Sequence, residues 1–135
     1  MAVFGKQIGN PTASGVGLPV GTRVYRALLT QTGTAAPVAT VLENTLGGTP
    51  AFAAYADPGV YSLVGTGLFP SGKTAVTIGS PLLIGAANTL NMAQATWSDA
   101  NTVAIETRIL AIADQTATLS DGALTATVLE ILVYP

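Results

Sequence analysis

Along most of this chain apolar side chains recur at every second residue, and Gly- or Pro-bearing turn signals end each run before it reaches a helical length. Period two places successive side chains on opposite faces of an extended strand, whereas a helical stripe needs spacings of three and four. Alternating runs cover residues 23–30, 38–43, 60–66, 74–78, 90–96, 102–112 and 123–134. Between them stand Gln31-Thr32-Gly33-Thr34, Asp57-Pro58-Gly59, Phe69-Pro70-Ser71-Gly72 and Ser98-Asp99-Ala100-Asn101. Asp121-Gly122 precedes the last run, where a type I′ turn is expected. The 19 Thr, 15 Gly and 8 Pro fit the same picture, since Thr favours strands while Gly and Pro punctuate turns. Seven short strands at turn-bounded intervals predict an all-β chain, folded as one antiparallel β-sandwich or jelly-roll-like domain over residues 23–135.

Two helical readings are weaker. Residues 99–113 fit a helix in length, but Val103, Ile105, Thr107 and Ile109 alternate with Ala104, Glu106 and Arg108 as a strand does. Residues 51–56 tolerate a helix, yet Pro50 and Pro58 confine it to about one turn. The last run is apolar on both sides, which marks a central strand or one covered by a partner. Residues 1–22 differ from the rest: rich in Gly, Pro, Asn, Thr and Ser, with only isolated Ile8, Val16, Leu18 and Val20, they cannot bury a core. They are expected to form an extended N-terminal arm that becomes ordered on a neighbouring subunit.

Charge is the other constraint. The 135 residues suffice for one domain and carry only 5 Lys+Arg and 7 Asp+Glu, 9% of the chain. An average protein devotes about a quarter of its residues to charge. The folded monomer surface is about 6,500 Å² by size scaling, and so thinly charged a surface promotes association. A homo-oligomer is therefore expected. The absence of Cys and His excludes disulfides, thiolate metal sites and the commonest general base. A net charge of −2 with scattered cations argues against nucleic acid as a partner. No stretch of about 18 residues is continuously apolar, so no membrane partner is expected. The first residues, Met1-Ala2-Val3-Phe4-Gly5-Lys6-Gln7, lack the pattern of a secretory signal, which predicts a chain made in a cytoplasm.

No residues stand out as catalytic, cofactor-binding or metal-ligating, and neither an enzyme nor a bound cofactor is expected. Asp57, Asp99 and Asp121 sit in turn sequences, where Asp accepts local backbone hydrogen bonds. The glycine pairs at Gly15-Val16-Gly17 and Gly47-Gly48 lack phosphate-loop spacing. Glu130, inside Val128-Leu129-Glu130-Ile131-Leu132, needs a partner, and Arg23 or Arg26 is the natural one. Together with Leu132 and Tyr134 on the same strand face, and Ile8, Val16, Leu18 and Val20 of the arm, Glu130 makes up the candidate oligomer and partner interface. Trp97, beside a loop, is the aromatic best placed for ligand contact.

The segment Val24-Tyr25-Arg26-Ala27-Leu28-Leu29-Thr30-Gln31-Thr32-Gly33-Thr34-Ala35-Ala36-Pro37-Val38-Ala39-Thr40-Val41-Leu42-Glu43-Asn44-Thr45-Leu46-Gly47-Gly48 resembles a module found in many phage and phage-associated open reading frames. The resemblance continues through Gly59-Val60-Tyr61-Ser62-Leu63 and Lys73-Thr74 to Leu129-Glu130-Ile131-Leu132-Val133-Tyr134-Pro135. Residues 51–55 depart from the pattern, being small and apolar where relatives carry Trp and Arg, and Leu132 stands where a basic residue is common. The resemblance implies a virion-associated structural protein without catalytic residues. Combined with the sparse charge, it predicts a capsid decoration or cement protein, assembled in the host cytoplasm and resident in the virion. A homotrimer bound to the major capsid protein or another virion protein is expected by analogy with symmetric virion positions. The alternative is a fibre, spike or tail-associated subunit involved in host attachment.

Overall fold

The computed structural model describes residues 17–79, 84–85 and 89–135, and among these the regular structure is entirely β. Ten strands follow one another: β1 (Arg23–Thr30), β2 (Val38–Asn44), β3 (Ala51–Phe52), β4 (Val60–Val64), β5 (Thr74–Ile78), β6 (Ile84–Gly85), β7 (Thr89–Asp99), β8 (Thr102–Ala111), β9 (Thr116–Leu119) and β10 (Thr127–Val133). They form two antiparallel sheets that pack as a sandwich. One runs β2-β1-β10-β5; the other runs β3-β4-β8-β7-β6, with β9 continuing the β8 edge beyond β4.

The alternation read from the sequence is what builds the core. Tyr25, Ala27 and Leu29 of β1 and Leu129, Ile131 and Val133 of β10 face Tyr61 and Leu63 of β4 and Val103 and Ile105 of β8. Leu46, Phe69 and Leu124 close the ends from loops. Burial of side chains of this size contributes about 1.5–3 kcal/mol each. Because β1 and β10 pair along seven rungs, from Arg23↔Val133 to Leu29↔Thr127, the two ends of the domain form the middle of one sheet.

Side-chain amides and carboxylates then lock the loops. Gln31 is buried; its Nε2 donates to the carbonyls of Gly33 (2.6 Å) and Ala35 (2.9 Å), and its Oε1 accepts from the Gly122 N–H. Asp121 accepts from the Tyr61 hydroxyl (2.6 Å), the Tyr55 hydroxyl (2.7 Å) and the Gly59 N–H (2.9 Å). Gly59 has φ +70°, and a Cβ there would lie 2.5 Å from the Thr107 carbonyl oxygen and 2.6 Å from the Ser120 nitrogen. Only glycine lets the Asp57-Pro58-Gly59 turn press so closely on the loop before β10.

Two expectations change. The last strand begins at Thr127 and not at residue 123: Ala126 has φ +49°, the Leu124 carbonyl accepts from Gln31 N, and residues 125–126 form a bend. Asp121-Gly122 is not a type I′ turn, because only Gly122 has a positive φ; the Asp121 carboxylate is spent on distant groups. At residues 51–56 the weaker, helical reading does not hold: Ala51 and Phe52 form a two-residue strand.

Candidate interaction surface

The interior-facing side of β10 is spent on the core, so its other side faces outward. The register of β10 with β1 and β5, and of β1 with β2, aligns that outer face in rungs. One rung holds Val128, Leu28 and Thr40. The next holds Thr77, Glu130, Arg26 and Glu43. The third holds Ala75, Leu132 and Val24. Charge is confined to the middle rung, and apolar side chains flank it on both sides.

Within that rung the charges are closed on one another. Arg26 Nε donates to Glu130 Oε2 at 2.6 Å, and its NH1 donates to Glu43 Oε2, also at 2.6 Å. Arg26, Glu43 and Glu130 keep 40%, 41% and 31% of their side-chain surface exposed. The guanidinium is held charged, mainly by the Glu130 hydrogen bond. One cation between two carboxylates leaves the rung with one net negative charge. Because β2 is bulged opposite Arg26 and Ala27, Glu43 still reaches the guanidinium.

Exposed apolar side chains occur on both sheets. On this sheet Val38 (67%), opposite Thr30, and Val128 (48%), opposite Leu28, stand on the outer face, while on the edge strand β2 Leu42 (60%) is the bulged residue and Val41 (46%) pairs with core-facing Ala27; Val60, Val64, Met92 and Leu119 are exposed on the other sheet. A solvent-facing sheet normally places polar residues at such positions. The outer face of the other sheet is more mixed. There Glu106 pairs with Arg108 at 3.0 Å beside Met92 and Gln94, around a shallow depression of about 80 Å³.

Of the candidate interface residues, the structure brings Glu130 and Leu132 onto this one face; Tyr134 directly follows β10, its N–H donating to the Lys73 carbonyl at 2.8 Å. Leu18 and Val20 are exposed and lead into β1 past Gly21, where a Cβ would meet Pro135 at 3.3 Å. They therefore stand at the Tyr134 end of β10. Ile8 and Val16, like most of the expected arm, lie outside the described residues. Between the two expected partners of Glu130 the structure selects Arg26; Arg23 NH1 instead donates to the Leu46 carbonyl at 2.6 Å. Trp97 is 39% exposed, but its Nε1 donates to the Phe69 carbonyl at 2.8 Å, so it anchors the 65–72 loop. Glu43, Val38 and Leu42 had no mark in the sequence beyond lying in an alternating run. A second acid at the Arg26 rung follows from register, which one strand's sequence does not contain.

No protein-family model matches the chain, and neither a curated protein nor a solved structure matches it.

Proposed function

We propose that this protein is a structural subunit of a phage virion, a decoration or cement protein that binds the head as a homo-oligomer, a trimer at local threefold positions. The observation that carries this reading is the outer face of β2-β1-β10-β5, apolar on either side of one compact ion cluster whose charges are largely closed on one another, in a chain with few other charges. Such a face gains from leaving water: apolar area contributes about 25 cal/mol per Å² buried. An obligate contact of about 2,000 Å² or more is expected. The resemblance of residues 24–48 to phage-associated modules supplies the setting, and the major capsid protein is the partner.

On this reading the work is mechanical. Contacts across subunit junctions exist only in the closed shell, so they raise the free energy needed to open it, by the same linkage through which any ligand stabilises the state it binds. Nothing is turned over. The test is to locate the protein in purified virions by cryo-electron microscopy. Density over the head at local threefold positions supports a decoration protein. Density only on the tail or projecting fibres contradicts it in favour of an attachment subunit.

A further inference from the structure

We infer that the outer face of β2-β1-β10-β5 is a docking site for this chain's own amino-terminal segment Val3-Phe4-Gly5-Lys6-Gln7-Ile8, with Lys6 seated on the Glu43–Arg26–Glu130 rung. The face follows a pattern of apolar, anionic and apolar rungs at two-residue steps along β10: Val128, Glu130, Leu132. Two-residue steps along a strand measure about 6.7 Å. Extended, the segment repeats that pattern with the opposite charge, Phe4, Lys6, Ile8, at the same step. Laid along β10 over the outer face, it places its cation over the net-negative rung and its apolar side chains over the flanking ones.

Charge decides among occupants. A second copy docking through the same face would bring two net-negative rungs together, which costs energy once water is excluded. Among the chain's other cations, Arg26 and Arg108 are engaged with carboxylates and Arg23 with the Leu46 carbonyl. Lys73 has an apolar residue, Ala75, at only one of the two flanking positions, since Ser71 stands at the other. The reach is sufficient. Gly21, four residues into the described chain, lies beside Pro135 at the end of β10, and Glu130 lies about 17 Å up that strand at about 3.4 Å per residue. Residues 9–17 span up to about 30 Å. The match holds whichever copy supplies the segment, so it does not rest on the virion reading.

The full-length protein is treated with a zero-length carbodiimide, which joins a lysine amine to a carboxylate in contact with it, and the linked peptides are mapped by mass spectrometry. Lys6–Glu130 or Lys6–Glu43 amides are expected at least tenfold above Lys6–Glu106, whose carboxylate is as exposed but lies on the other sheet. The Phe4→Ser/Ile8→Ser double variant, which keeps the lysine, is expected to lower that yield at least threefold. Links from Lys6 spread evenly over Glu106, Asp99 and Asp114, or a yield indifferent to the double variant, would overturn the proposal.

Discussion

Tyr25 carries a hydroxyl that the fold does not use. The side chain is fully buried in the core cluster, opposite Ile131 of β10, and its oxygen finds no hydrogen-bond partner among the described residues; burial pushes its pKa up. A buried unpaired hydroxyl costs about 1–3 kcal/mol, so Tyr25→Phe is expected to hold or raise the Tm. A Tm several degrees lower would show that the hydroxyl is satisfied in solution. Asp121 is the opposite case. Burial disfavours its charge more than any other single influence, yet the hydrogen bonds from Tyr61, the Gly59 N–H and Tyr55 together hold it below the usual carboxylate range. Its contribution is therefore complete above about pH 4 and is lost as pH falls through the lower folded value. The same contacts act on the phenols. Tyr55 is raised to about 12, first by its bond to Asp121, and Tyr61 to about 12, first by burial and then by that carboxylate. Because an unfolded tyrosine titrates near 10, the stabilisation is full below about pH 10 and is lost as pH rises through about 12. Chemical denaturation across pH 8–12 is expected to show that loss, and Tyr61→Phe to reduce it; an unchanged slope would contradict the network. The partner of Glu130 was legible at this scale because a charge inside an apolar run demands one. Gln31 was not, since a glutamine beside a turn carries no sign of burial.

Strands long enough to show a period were read with bounds that match closely: β1 and β5 coincide with their runs. Shorter elements escaped, because two to four residues of β3, β6 and β9 cannot display alternation and exist by pairing with a longer neighbour. Two-sided apolarity in the last run was informative about position: β10 is the inner strand between β1 and β5. Its two sides do different work, which makes a paired test possible. Ile131→Ala, on the core side, is expected to cost about 2–5 kcal/mol. Glu130→Gln, on the outer side, is expected to cost about 1 kcal/mol or less in the isolated fold, because the ion cluster is partly solvated and Arg26 retains Glu43. Urea denaturation distinguishes them. Equal costs would mean that the outer side is packed within one chain and is not a free face.

At the scale of the molecule, the sandwich spends its inner alternation on folding and leaves an outer face that water serves poorly. The few charges of the sequence raise the expectation of association, but which face would carry it depends on strand order. β10 lies between β1 and β5 only once residues 23 and 133 are paired across the whole domain. The decoration reading starts from the claim that an isolated copy is not the working state, whereas the seat of Lys6 holds within one copy or between two. Sedimentation-velocity ultracentrifugation of the full-length protein at neutral pH, over a concentration series, tests it most directly. The expected result is a discrete species at a multiple of 13.5 kDa, trimeric on the decoration reading, weakened when Val128→Asp places a further charge beside the ion rung. A single 13.5 kDa species that persists to millimolar concentration would contradict it.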